Sequence, residues 1–177
     1  EIDRYLQERP KLARARVILD SIVGVGPRAA EVITAEIGIQ MKPVFANDAH
    51  LASWAGICPG NKASGGKRLS GRTRKGNTYL RAVLVQAAWG ATLKKNCYLS
   101  SQYRRLVKRL GAKKALVAVA HSLLVIIYHV LDRDQTYTEL GGDYFDRQHV
   151  EQQREYFIRR LQMLGLTVNV EDLREVA

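Results

Sequence analysis

Between Pro59 and Asn77 the chain gathers three hydroxyls, Ser64, Ser70 and Thr73, with six cations and five glycines. The cations are Lys62, Lys67, Arg68, Arg72, Arg74 and Lys75. A hydroxyl oxygen in such a field can attack a phosphodiester while neighbouring cations hold the charge that develops on the phosphate. Glycines let a backbone come close to phosphate, lysines supply point charges and arginines supply bidentate forks. Ser64 stands directly before Gly65-Gly66-Lys67. A serine beside glycine is also a common turn residue, and no histidine or carboxylate lies nearby in sequence to act as its base. Ser70 and Thr73 satisfy the same chemistry, so composition alone does not choose among the three. The phosphate loop G-x-x-x-x-G-K-[ST] is not present at this spacing.

A second candidate lies upstream, in Ile22-Val-Gly24-Val-Gly26-Pro27-Arg28-Ala29-Ala30. By letter it matches the dinucleotide pattern G-x-G-x-x-A, but that pattern needs a strand before it and a βαβ unit around it. The preceding residues read as helix. The better fit is a helix-hairpin-helix. Gly24 and Gly26 would bring backbone to a phosphate, the start of the next helix would offer free N–H groups, and Arg28 would add charge. A plain helical turn with no ligand is the simpler alternative.

The charge distribution supports a polyanionic partner. Residues 1–48 carry seven Lys/Arg against seven Asp/Glu, residues 49–131 carry fifteen against none, and residues 132–177 carry six against ten. The chain total is +11. Ordinary surfaces mix both signs. A stretch with no acid at all reads as a phosphate-binding surface, although a solvated face neutralised by the acidic tail has the same composition. The same stretch cannot supply the carboxylates of a two-metal nuclease. Two cysteines without a C-x-x-C pair exclude a disulfide scaffold and a cysteine zinc module, and fit a reducing, cytoplasmic setting. The first residues lack the pattern of a signal peptide, and a chain that begins on Glu1 reads as part of a longer one.

The elements that must carry these groups read as helices. Residues 1–22 are mostly helical, with Pro10 as a break or a start. Pro27 opens a helix that ends at Gly38. A short helix covers Leu51–Ala55, and residues 57–77 read as a long basic glycine-rich loop. Apolar spacing predicts helices over Thr78–Leu93, Tyr98–Leu110 and Lys113–Leu131. The last is apolar enough to raise a membrane span, but its His121, Ser122 and His129 favour a buried central helix. The two histidines lack a third ligand at metal spacing. Tyr137–Asp146 reads as extended chain and Val150–Leu164 as a helix. The expected fold is mainly α: a compact helical domain with a helix-hairpin-helix element and a C-terminal helical tail. Its parts are residues 1–16 as an N-terminal helical linker, 17–131 as the hairpin-containing domain and 132–177 as an acidic extension.

Four runs, in order, resemble one family. They are Ile22–Ala30, then Leu51-Ala-Ser-Trp-Ala-Gly-Ile-Cys-Pro-Gly60, then Ser64-Gly-Gly-Lys67, then Arg74-Lys-Gly-Asn-Thr-Tyr-Leu-Arg81 running on to Ala88. Together they resemble the C-terminal domain of the insertion-sequence transposases that carry an N-terminal RuvC-like DEDD domain, the bridge-RNA-guided recombinases. The likeness spans roughly residues 17–131, and Glu139-Leu-Gly-Gly-Asp143-Tyr-Phe-Asp146 resembles the family's C-terminal extension. Ala63 and Val23 depart from the commoner pattern without removing a reactive group. The resemblance implies that Ser64 attacks a DNA strand and holds it as a phosphoserine. It implies Mg²⁺ in a DEDD domain that lies outside this chain, so this chain alone would be an incomplete catalyst. It also implies DNA and a guide RNA as partners, at least a dimer, and a place at bacterial or archaeal DNA. The expected DNA-holding residues are Gly24, Gly26, Arg28, Lys62, Gly65, Gly66, Lys67, Arg68, Arg72, Arg74, Lys75, Asn77 and Arg81. The alternative function is a non-catalytic helix-hairpin-helix module that only binds nucleic acid.

Overall fold

The computed structural model describes residues 9–60 and 62–169. Its first compact unit runs to Gly142, and a second begins at Asp143. Among the described residues the first unit holds α1 (Pro10–Asp20), α2 (Pro27–Ile37), α3 (Met41–Val44), α4 (Asp48–Trp54), β1 (Lys62–Ser64), β2 (Lys67–Ser70), α5 (Thr78–Leu93), α6 (Tyr98–Leu110) and α7 (Ala112–Asp132). The second unit holds α8 (Tyr144–Met163).

α7 is the centre of the first unit. Val119, Ala120, Leu123, Leu124 and Ile127 recur at helical spacing and are fully buried. Helices α1, α3, α4, α5 and α6 pack around it. α7 is long and apolar enough to cross a membrane, and half of its most apolar stretch is buried inside the unit. Burying each leucine contributes about 1.5–3 kcal/mol. At the far side the Tyr128 hydroxyl donates to the Phe45 carbonyl at 3.2 Å, tying the α3–α4 connection to α7. His129 lies 3.9 Å from the Asp48 carboxylate.

Most helix ends follow from local chemistry. The Asn77 side chain caps α5 by accepting from the Leu80 N–H at 3.0 Å. Asn47 caps α4 by accepting from His50 N–H at 2.9 Å, which starts that helix at Asp48 instead of the expected Leu51. α3 is a single turn anchored by buried Met41, too short to show a period in the sequence. α8 begins six residues before the expected Val150. Its first turns are held by an ion pair from Arg147 to Asp143 at 3.0 Å and a bond from Gln148 to the Tyr144 hydroxyl at 2.9 Å, rather than by an apolar stripe.

The fold is mainly α, as expected, with one correction. Residues 62–70, read as part of an open loop, form a two-stranded antiparallel ribbon. Lys62 pairs with Ser70, Ala63 with Arg68 and Ser64 with Lys67, leaving Leu69 as a bulge. The turn is Gly65-Gly66 with φ of 57° and 75°. Two consecutive positive φ values are what a two-residue type I′ hairpin needs, and they match the twist of the strands it joins. With only three paired residues on β1, and Ala63 and Leu69 as the ribbon's apolar residues besides glycine, there is no alternation for a hydrophobic pattern to reveal.

Candidate functional site

The ribbon rises from a neck made of backbone. A methyl group on Gly76 would lie 2.4 Å from the Ala55 carbonyl, and one on Gly56 would lie 2.7 Å from the Gly76 nitrogen. Higher up, the Gly60 N–H donates to the Arg72 carbonyl at 3.1 Å, and a methyl on Gly60 would meet that same oxygen at 2.5 Å. Residues 55–60 and 72–76 therefore run backbone against backbone, with no room for side chains between them. The glycines at these positions admit the other arm of the chain. Cys58 lies in the neck. Burial pushes its thiol upward and the Arg74 guanidinium pulls the other way.

The tip is the opposite of the neck. Nothing lies within 4 Å of where a side chain would start on Gly65 or Gly66, and Ser64 and Lys67 are exposed. Ser64 is the last residue of β1 and faces Lys67 across the ladder. Directly opposite residues share a face of the ribbon, with Cβ atoms about 5 Å apart. The Ser64 hydroxyl has no hydrogen-bond partner, and so no aligned base, among the described residues. Thr73 is half-buried beside the neck. The side chains of Lys62, Arg68 and Ser70 lie outside the described part, and their backbones are placed by the pairing above.

Four described acids of the first unit are held away from the ribbon. Glu31 pairs with Arg28 at 3.1 Å and with Arg16 at 3.5 Å. Asp132 pairs with Lys42 at 3.1 Å, and Asp134 with Arg14 at 3.5 Å. Glu139 accepts from the Tyr98 N–H at 2.7 Å and the Gly141 N–H at 3.0 Å, so it caps α6. The Tyr137 N–H donates to the Ser21 hydroxyl at 2.8 Å, which lays this acidic segment along the helices. None of these carboxylates reaches the ribbon. Lys67, Arg74 and Lys75 are exposed and make no ion pair among the described residues.

At the upstream turn the two glycines separate. Ile22 and Val25 are buried and fix the Ser21–Gly26 connection between α1 and α2. Gly24, at φ 90°, presses on α5: a methyl there would lie 2.3 Å from the Ala87 carbonyl and 2.9 Å from the Ala91 side chain. Its missing side chain is accounted for by helix packing. Gly26 faces open space and precedes Pro27 at the start of α2, whose first turn has no side-chain cap. Arg28 is exposed, with its guanidinium on Glu31.

Of the residues singled out in the sequence, the ribbon brings together Ser64, Gly65, Gly66 and Lys67. The neck and the return strand add Arg72, Arg74 and Lys75. Asn77 has both ends of its amide engaged, capping α5 and donating to the Glu36 carboxylate. Arg81 lies half-buried one turn further on. Two features escaped the sequence reading. Tyr79 is 73 % exposed in the first turn of α5, beside this cationic arm, and offers a free aromatic face. The cations of residues 94–114 were counted as charge but lay in no motif. Among the described residues no three His, Cys, Asp or Glu side chains come together as a metal ion requires. The resemblance places Mg²⁺ in a DEDD domain outside this chain, and no step below runs through it.

Comparison with known proteins bears on the same residues. A family model described as the transposase IS116/IS110/IS902 family matches residues 16–104. The chain is 32 % identical over 147 residues to the transposase for insertion sequence element IS1111A of Coxiella burnetii, covering 77 % of this chain and 39 % of that protein. It is 28 % identical over 121 residues to a probable family 20 transposase of Pseudomonas aeruginosa, covering 66 % of this chain and 35 % of that protein. The chain spans little more than a third of the length of these curated relatives.

Proposed function

The chain belongs to the IS116/IS110/IS902 transposase family, and on that premise we propose that it is the DNA-holding, nucleophile-bearing part of a transposase, with Ser64 as the attacking group. The observation that carries this reading is the placement of Ser64. It is an exposed hydroxyl at the tip of a cationic ribbon, opposite Lys67, while Glu31, Asp132, Asp134 and Glu139 are engaged away from it. In the reaction the Ser64 Oγ–P bond forms as one P–O bond to deoxyribose breaks. The serine proton leaves, and the departing deoxyribose oxygen takes a proton. The phosphoserine keeps the ester, so a later attack by a new strand end needs no external energy source. Lys67 faces the hydroxyl and offsets charge on the phosphate, while Arg72, Arg74 and Lys75 grip the backbone. The base for Ser64 and the Mg²⁺ of the resemblance are assigned to a DEDD domain outside this chain. Guide RNA, a homo-oligomer and a cytoplasmic location at bacterial or archaeal DNA complete the proposal.

The test is strand transfer by the full-length protein. Ser64→Ala should abolish transfer and leave DNA affinity within about twofold, since the hydroxyl supplies no charge. A second reading is favoured by the absence of a base on Ser64 and by the open, uncapped start of α2 at Gly26. In it the chain is a non-catalytic helix-hairpin-helix module. That reading requires Ser64→Ala to transfer strands as well as the parent.

A further inference from the structure

Building on the DNA-binding reading above, we propose that the junction of α6 and α7 is a second backbone-binding surface for duplex DNA, carried by different elements from the ribbon. Residues 94–114 hold eight Lys/Arg and no Asp or Glu. On α6, Arg104, Arg105, Lys108 and Arg109 fall at i, i+1, i+4 and i+5, which places them on one side of the helix. All four are exposed. Gly111 alone separates α6 from α7, and Lys113 and Lys114 follow at once, also exposed.

Helix electrostatics explains only part of this cluster. Lys108 and Arg109 lie in the last turn of α6, where cations suit the helix dipole. Lys113 and Lys114 lie in the first turn of α7, the positive pole of a 21-residue helix with no acid in that turn and no side-chain cap. Their position is unfavourable for α7 itself. Among the described residues Lys108, Arg109, Lys113 and Lys114 make no ion pair. A polyanion lying across the junction supplies the missing counter-charge.

Its composition selects the form of that polyanion. Residues 104–114 contain no aromatic residue and no Asn or Gln. Single-stranded nucleic acid is held by stacking on aromatic faces, which this surface lacks. Exposed lysines and arginines grip the phosphates of a duplex. The ribbon and this surface lie before and after α5, whose 16 residues span about 24 Å.

The experiment is the affinity of the chain for a 30-base-pair DNA duplex across a salt series, for K108Q/R109Q/K113Q/K114Q beside the parent and beside a ribbon variant, K67Q/R74Q/K75Q. Loss of four phosphate contacts should make the log–log salt slope shallower by about 3–4, at unchanged helix content. Combining both variants should add their effects. An unchanged slope in the junction variant overturns the surface. So does a loss seen only with an RNA duplex. If the fourfold variant fails to fold, K113Q/K114Q should still lower the slope by about 2, and an unchanged slope there overturns the surface equally. A silent ribbon variant beside an affected junction variant would sink the proposed role of the ribbon and leave this surface standing.

Discussion

The helical body and the ribbon are held together by opposite means. In the body, Leu80 and Leu84 of α5 and Leu123 and Leu124 of α7 are fully buried, and stability comes from apolar area removed from water. In the ribbon no buried apolar side chain is described. Its shape comes from backbone: the type I′ turn at Gly65-Gly66, three ladder pairs, and a neck where Gly56, Gly60 and Gly76 let two arms touch. The body can lose charge at little cost but not volume. The ribbon's shape rests on backbone, so the exposed Ser64 and Lys67 side chains are available to a ligand.

This contrast breaks if the two regions respond alike to substitution. The largest effect is expected in the body, where Leu84→Ala should lower the unfolding free energy by about 2–5 kcal/mol in a denaturant titration. Next comes the contact between turn and helix. Gly24→Ala forces a side chain onto the Ala87 carbonyl at a positive φ, and should cost about 2–4 kcal/mol. Gly26→Ala, which meets nothing, should change stability by less than about 1 kcal/mol, so the pair separates packing from exposure in a single melt. At the boundary between the regions, Asn77→Ala removes the α5 cap and the partner of Glu36, with a loss of about 1–2 kcal/mol. In the ribbon, K67Q/R74Q/K75Q should leave unfolding within about 0.5 kcal/mol while making the salt slope for DNA shallower by about 3.

The same contrast explains what was legible in the sequence. Helices α2, α5 and α6 match their sequence-read spans, because Pro27 with Gly38, the apolar spacing of Leu80–Ala88 and the run Tyr98–Leu110 are local signals. The ribbon was read as a loop because its signals are not local. Gly65-Gly66 makes a turn only when residues 62–64 and 67–70 pair, and Gly76 is needed only because Ala55, 21 residues earlier, lies against it. The site was legible as chemistry and not as geometry. Ser64 could be named from its neighbours, yet nothing in the letters placed it at a tip facing Lys67 or set Thr73 half-buried at the neck. Gly24 shows the reverse. Its letter suggested a phosphate contact, and the fold gives it a place against α5.

The central claim is that the hydroxyl at the ribbon tip becomes covalently joined to DNA. The direct measurement is mass mapping of the full-length protein after reaction with a DNA target that traps the cleaved strand, with Ser64→Ala alongside. A nucleotide adduct is expected on Ser64 in the parent and none in the variant. An adduct on Ser70 or Thr73, or cleavage by both proteins with no adduct at all, would contradict it.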